Sequence, residues 1–176
     1  MDSGKVLRVV AKIVTLCFIG YLFLLAPFGR SLQALVEGYV GPRGALALAV
    51  ICLVAAGLFT RRSTSKIELL SKGAVSLVIC LVINQFILYP VEWSHVAHYA
   101  ALSILLSTTF KLSPLLSIAI ASGVGLIDES LQGISPDRVF DLRDICLNVV
   151  GAVVGIGIQS VSTDSLRERG KKITNG

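Results

Sequence analysis

The residues between Asp128 and Asn148 concentrate the chemistry of this chain: DESLQGISPDRVFDLRDICLN holds five of the eleven acidic residues, together with Arg138, Arg143, Gln132 and Asn148. A second, smaller set lies upstream in VEWSHVAHY, with Glu92, His95 and Tyr99. Helical spacing aligns the members of each set. His95 and Tyr99 are i, i+4, as are Asp144 and Asn148, while Glu129 and Gln132 are i, i+3, so each pair shares a helix face. These residue types suit three kinds of work. Arg138 and Arg143 could grip a phosphate or carboxylate while Tyr99, Gln132, Asn148 and His95 hydrogen-bond a headgroup. His95 with Glu129, Asp144 and an arginine could instead act as catalytic base, orienter and oxyanion clamp, or His95, Glu129 and Asp144 could hold a divalent metal through one nitrogen and two oxygens. Or the groups could satisfy one another as a closed network that holds helices together. Cys146 lies between Asp144 and Asn148 but faces away from them, so no activated nucleophile stands out in the block.

The elements that carry these residues must be helices in lipid. The chain is 54% hydrophobic and 15% charged, with mean hydropathy +0.80. About a quarter of the residues in a soluble domain are charged, so this chain could not cover its surface with polar groups. Six apolar runs are visible: Val6–Phe28, Gly44–Thr60, Gly73–Val91, His95–Phe110, Leu112–Leu131 and Ile145–Val161. Several are near the ~17-residue lower limit for a span, and the fourth and fifth could alternatively form a re-entrant pair joined at Lys111–Pro114. The first run follows Lys5, Arg8 and Lys12, but no small-residue cleavage site follows it, so it reads as a retained span.

Lysine and arginine divide unequally among the connections. Alternate compartments hold twelve against four, which places both termini in the cytoplasm with six spans. The fold expected is therefore an all-α, polytopic membrane helix bundle. It divides into an N-terminal hairpin over residues 1–72, a four-helix domain over 73–161 and a basic cytoplasmic tail over 162–176. In the first outer loop, Leu32, Leu35, Val36 and Tyr39 recur at helical spacing and suggest a short amphipathic surface helix. No basic run is interleaved with aromatics, so nucleic acid is not expected as a partner. The four cysteines, Cys17, Cys52, Cys80 and Cys146, lie in apolar runs without metal-ligand spacing and read as buried small hydrophobes.

This orientation brings the polar ends of the last four spans to one outer level: Glu92 at the exit of the third, His95 and Tyr99 opening the fourth, Asp128, Glu129 and Gln132 closing the fifth, and Asp141, Asp144 and Asn148 opening the sixth. Arg138 with Asp141, and Arg143 with Asp144 or Glu129, are the expected ion pairs. Small residues line the same faces, Ser122 and Gly125 below Glu129, and Gly151, Ala152 and Gly155 below Asn148. They would let backbones approach closely, within the chain or across a dimer. Charge near hydrocarbon costs about 2.5–3.5 kcal/mol at mid-bilayer and less at the interface, so the cluster is a functional candidate.

The pattern of Asp128, Glu129, Gln132, Pro136, Arg138, Asp141, Asp144, Asn148 and Gly151, with Val91, Glu92, His95 and Tyr99 upstream, resembles the VanZ-like family of small bacterial membrane proteins. The resemblance covers roughly residues 80–160. It departs at Trp93, where many members carry a basic residue, and at His98, where many carry an acid. It implies a multi-pass helical protein of the bacterial cytoplasmic (inner) membrane and a link to teicoplanin resistance, after which the family is named, but no reaction. The leading expectation is a site for an anionic envelope lipid or cell-wall precursor. A membrane-embedded enzyme acting on such a lipid and a purely structural network are the alternatives.

Overall fold

A computed structural model describes residues 3–25, 66–89, 92–136 and 139–160, together with the isolated positions 38, 39, 41, 47 and 51. The described residues form five long helices and no strand: α1 (Ser3–Leu25), α2 (Lys66–Asn84), α3 (Glu92–Thr109), α4 (Pro114–Ile134) and α5 (Leu142–Ser160). The expected span at Gly44–Thr60 and the tail from Ser162 fall almost wholly outside these residues, as do Asp137 and Arg138. Of the expected surface helix only Tyr39 is described, and it is exposed.

Local chemistry sets the helix ends. At the α3–α4 turn, Lys111 takes a left-handed backbone (φ 56°), and Ser113 then caps α4 by accepting from the Leu116 N–H at 3.3 Å. Pro114 supplies a helix-compatible φ at the first position, where no N–H is needed. Asp141 caps α5 in the same way, accepting from the Arg143 N–H at 2.8 Å. Helix α4 runs on to Ile134, past the expected end at Leu131. Helix α2 stops at Asn84, well short of the expected Val91, because the chain turns at Gln85 and Phe86 and meets Pro90 soon after. It also begins at Lys66, so Lys72 is a buried residue of α2 and not part of a loop.

Three helices, Lys5–Leu24, Pro114–Ile134 and Leu142–Ser160, are long and apolar enough to cross a membrane, and Leu70–Asn84 is a shorter apolar helix. Large hydrophobics stand exposed along them, including Leu7 and Val14 on α1, Leu126 and Ile127 on α4 and Val153 on α5. Such a surface is suited to lipid tails. The central element is α3. It packs against α1, α4 and above all α5, and its less apolar composition is shielded by these neighbours.

The α3–α5 contact is set by glycine. A Cβ on Gly151 would lie 2.5 Å from the Val96 carbonyl oxygen, and one on Gly155 would collide with the Ala100 carbonyl group and sit 2.5 Å from Ser103 Oγ. The small-residue face of α5 is therefore occupied within the chain. On α4, Ser117, Ala121 and Gly125 form the matching buried stripe, four residues apart. Gly151→Ala is expected to cost about 1–3 kcal/mol, because α3 backbone must move to make room. Gly157, whose Cβ would meet open space, should accept Ala neutrally or gain up to about 1 kcal/mol. Denaturation in detergent, followed by fluorescence of the single, buried Trp93, compares the two; equal effects would refute the close-approach account.

Candidate polar site at the shared end of three helices

Each of the three packed helices contributes polar side chains to one end of the bundle. Helix α3 gives Glu92, His95 and Tyr99, α4 gives Asp128, Glu129 and Gln132, and α5 gives Asn148, all buried. Asp144, on the first turn of α5, joins them with 19% of its side chain exposed. The groups connect in a chain of short contacts. Tyr99 donates its hydroxyl to Asp128 Oδ2 at 3.1 Å. Gln132 Nε2 donates to Asp128 Oδ2 at 3.3 Å and to Glu129 Oε1 at 2.9 Å. Glu129 Oε1 lies 3.9 Å from His95 Nδ1, and on the far side of the ring His95 Nε2 lies 3.5 Å from Asp144 Oδ2.

Asn148 fixes the histidine. Its Nδ2 donates to the Gly125 carbonyl at 3.5 Å, which turns Oδ1 towards His95 Nδ1 at 2.9 Å. An amide oxygen can only accept, so Nδ1 carries the proton and donates. Gly125 makes this reach possible, since a Cβ there would sit 2.8 Å from Asn148 Cβ. The imidazole is thus held between two carboxylates with its orientation set, an arrangement able to hold or move a proton.

A second group of contacts locks the rim. Arg143 does not pair with Asp144 or Glu129 as expected. Neighbouring residues on a helix diverge by about 100°, which turns Arg143 away from Asp144 and towards the start of α3. There Arg143 Nε lies 3.1 Å from Glu92 Oε1, Arg143 Nη2 donates to Glu92 Oε2 at 3.3 Å, and Nη2 also donates to the Phe86 carbonyl. Glu92 Oε2 further accepts from the Leu88 N–H at 2.7 Å. A carboxylate in the first turn of α3 also meets the positive end of that helix. The result ties the connection after α2 to α3 and α5. The main-chain groups of Phe86, Leu88 and Gly125 were invisible to a reading of side-chain types.

The remaining candidates are placed elsewhere. Asp141 is exposed, and its carboxylate caps α5. Arg138 lies outside the described residues. His98 turns towards α1, with ring centroids 6.0 Å from Phe18 and 5.8 Å from Tyr21. Gln85, in the turn after α2, is exposed and bonds back to the Leu81 carbonyl. Of the cysteines expected to be buried, Cys80 is buried but Cys17 and Cys146 are exposed on the helix surfaces; all three are free thiols.

With this geometry established, the comparison with known families is decisive on one point: the VanZ/LLP1 family model matches residues 45–163. The chain belongs to the VanZ/LLP1 family. The match takes in every residue of the polar site and extends upstream of the region in which the motif was legible. Family membership, together with the apolar helices, makes this a helical membrane protein. No curated protein and no solved structure matches the chain.

The Glu92–Arg143 contact should be measurable as a coupling. Arg143→Gln leaves a buried carboxylate without its cation and is expected to cost about 1–3 kcal/mol, less than a fully buried pair because Arg143 is partly exposed. Combined with Glu92→Gln, the loss should be smaller than the sum of the two single losses by about 0.5–3 kcal/mol. Detergent denaturation of all four proteins reads this, and strict additivity would mean that the pair is not formed.

Proposed function

We propose that the protein sits in the bacterial cytoplasmic membrane as a six-span, multi-pass bundle with both termini inside, and that its polar site opens outward to bind the headgroup of an anionic envelope lipid or cell-wall precursor. The role that follows is in envelope homeostasis or in resistance to glycopeptides such as teicoplanin. The observation that carries the reading is the convergence of His95, Tyr99, Asp128, Glu129, Gln132, Asp144 and Asn148 at one end of three helices in an otherwise apolar chain. An outward site fits such a ligand because cell-wall precursors are presented on that leaflet. Arg138, which lies between Gln132 and Asp141 in the sequence, is the side chain assigned to the anionic group; Arg143 is engaged with Glu92 and contributes to the rim.

A second reading, a membrane-embedded enzyme acting on such a lipid, is favoured by one specific observation. His95 lies between Glu129 and Asp144, at 3.9 and 3.5 Å, as a proton-transferring group would. Under this reading Glu129→Gln keeps lipid binding and stops turnover.

Native mass spectrometry of the full chain in mild detergent, beside Arg138→Ala of equal folded yield, tests the binding reading. A lipid retained only by the unchanged protein supports it. Bare protein in both samples, even after addition of envelope lipids, would leave a structural network as the role of the cluster. The topology has its own check. An alkaline phosphatase fusion after Pro136 should be active outside the membrane, and a fusion after Gly176 should be inactive. The reverse pattern would place the site on the cytoplasmic side.

A further inference from the structure

We infer that His95, Glu129 and Asp144 form a binding site for a first-row divalent cation such as Zn²⁺ or Mn²⁺, and that this ion is the point at which an anionic headgroup attaches. The second half rests on the lipid-binding reading; the first half does not.

The ligand set comes from three different helices, α3, α4 and α5. One nitrogen of His95 and one oxygen from each carboxylate lie within 4.8 Å of one another. Ligands held at about 2.1 Å around a tetrahedral ion are roughly 3.4 Å apart, so the site closes by side-chain rotations of about an ångström, with Glu129 turning from the Nδ1 edge of the ring towards the Nε2 edge. Imidazole with two carboxylates suits zinc and manganese better than calcium, which prefers oxygen alone.

The tautomer supplies an independent reason. Asn148 requires the proton on Nδ1, so Nε2 turns its lone pair to Asp144 Oδ2 across 3.5 Å. A divalent ion seated against Nε2 would be shared with Asp144, whose carboxylate lies beside that nitrogen. The hydrogen bond to Asn148 is also the kind of outer contact that orients a metal-bound imidazole, as Gln132 does for Glu129.

Exposure indicates where a ligand would enter. Glu129 is fully buried and His95 nearly so, whereas Asp144 is the partly exposed member. A phosphate arriving from the Asp144 side would meet a carboxylate first. A divalent ion at the trio reverses the sign of that encounter and offers an open coordination position. With only three protein ligands, the arrangement is that of an open site, not of a closed structural one.

The test uses the full chain in detergent, stripped with a chelator and dialysed. Titration calorimetry with Zn²⁺ and Mn²⁺ should find one ion per chain, and Glu129→Gln should weaken it by about 100-fold or more. Asp144→Asn, at the partly exposed position, is the second variant should the first fold poorly. Co²⁺ loaded into the unchanged protein should give visible d–d absorption that both variants lose, a signal indifferent to general loss of stability. Retention of phosphatidylglycerol over phosphatidylcholine in native mass spectra should then require the ion. Absence of stoichiometric binding, or binding unaltered in both variants, overturns the site. Stoichiometric ion with no anionic lipid retained under any condition keeps the site and defeats the lipid reading. Lipid retained equally with and without the ion defeats the bridge alone.

Discussion

The approach of α5 to α3 governs everything above it. At Gly151 and Gly155 the two backbones come closer than any side chain permits, against Val96 and Ala100. Water cannot drive helices together inside a bilayer, so association depends on close packing and on hydrogen bonds between helices. The glycines provide the first and thereby allow the second. One turn above Gly151, the same closeness puts Asn148 within hydrogen-bonding reach of His95, and Gly125 on α4 gives way to let Asn148 fill the space between. The polar site thus sits on a tightly packed floor. Backbone proximity of this kind resists small displacements, which is what a constellation held to a few tenths of an ångström requires.

Above that floor the polar groups divide into two sets with different work. Glu92 and Arg143 join the connection after α2 to the starts of α3 and α5 and take up main-chain groups of Phe86 and Leu88. Those main-chain groups follow the end of a helix, where orphan donors and acceptors need partners. The trio of His95, Glu129 and Asp144 joins three helices through side chains, and it keeps one member partly exposed. A network built only to satisfy helix ends would resemble the first set throughout. The second set is arranged around an imidazole with a fixed tautomer, which is a more specific requirement than capping. Helix α1 stands apart from both. It reaches the bundle through Phe18 and Tyr21 against His98, and through Thr15 beside Thr109. The histidine that replaces an acid in the family pattern therefore serves the seat of α1 and not the polar cluster.

Much of this was legible because lipid leaves the sequence few options. Apolar runs of nearly fixed length announce helices, and the i, i+3 and i, i+4 spacing of His95, Tyr99, Glu129, Gln132, Asp144 and Asn148 marks their shared faces. The combination of a small-residue stripe with a polar end pointed to inward-facing groups. Pairing was harder to read. Arg143 could be aligned with several acids by level alone, and only its direction around α5 sends it to Glu92. The capping role of Asp141 depends on where α5 starts, and helix starts shift by a residue or two with local competition among caps. The end of α2 was misjudged because Asn84 and Gln85 are compatible with a span, while the turn there is set by main-chain bonds from Gln85 and Phe86 back to Val82 and Ile83. Contacts that involve carbonyl and amide groups carry no signature in residue type.

The distribution of cost over the site is consistent with a ligand. Burying an ionised carboxylate is expensive, and replacing a buried ionic group by a well-packed apolar one is often neutral or stabilising. A bundle needing only stability could close this end with leucine, as it does elsewhere with Leu102 and Leu106 on α3. Here it maintains Asp128 and Glu129 side by side on α4, with Gln132 bonded to both and Tyr99 bonded to Asp128. Those contacts hold the two acids in defined rotamers close to His95. A cation seated by His95, Glu129 and Asp144, as inferred above, would meet these acids beside the partly exposed Asp144.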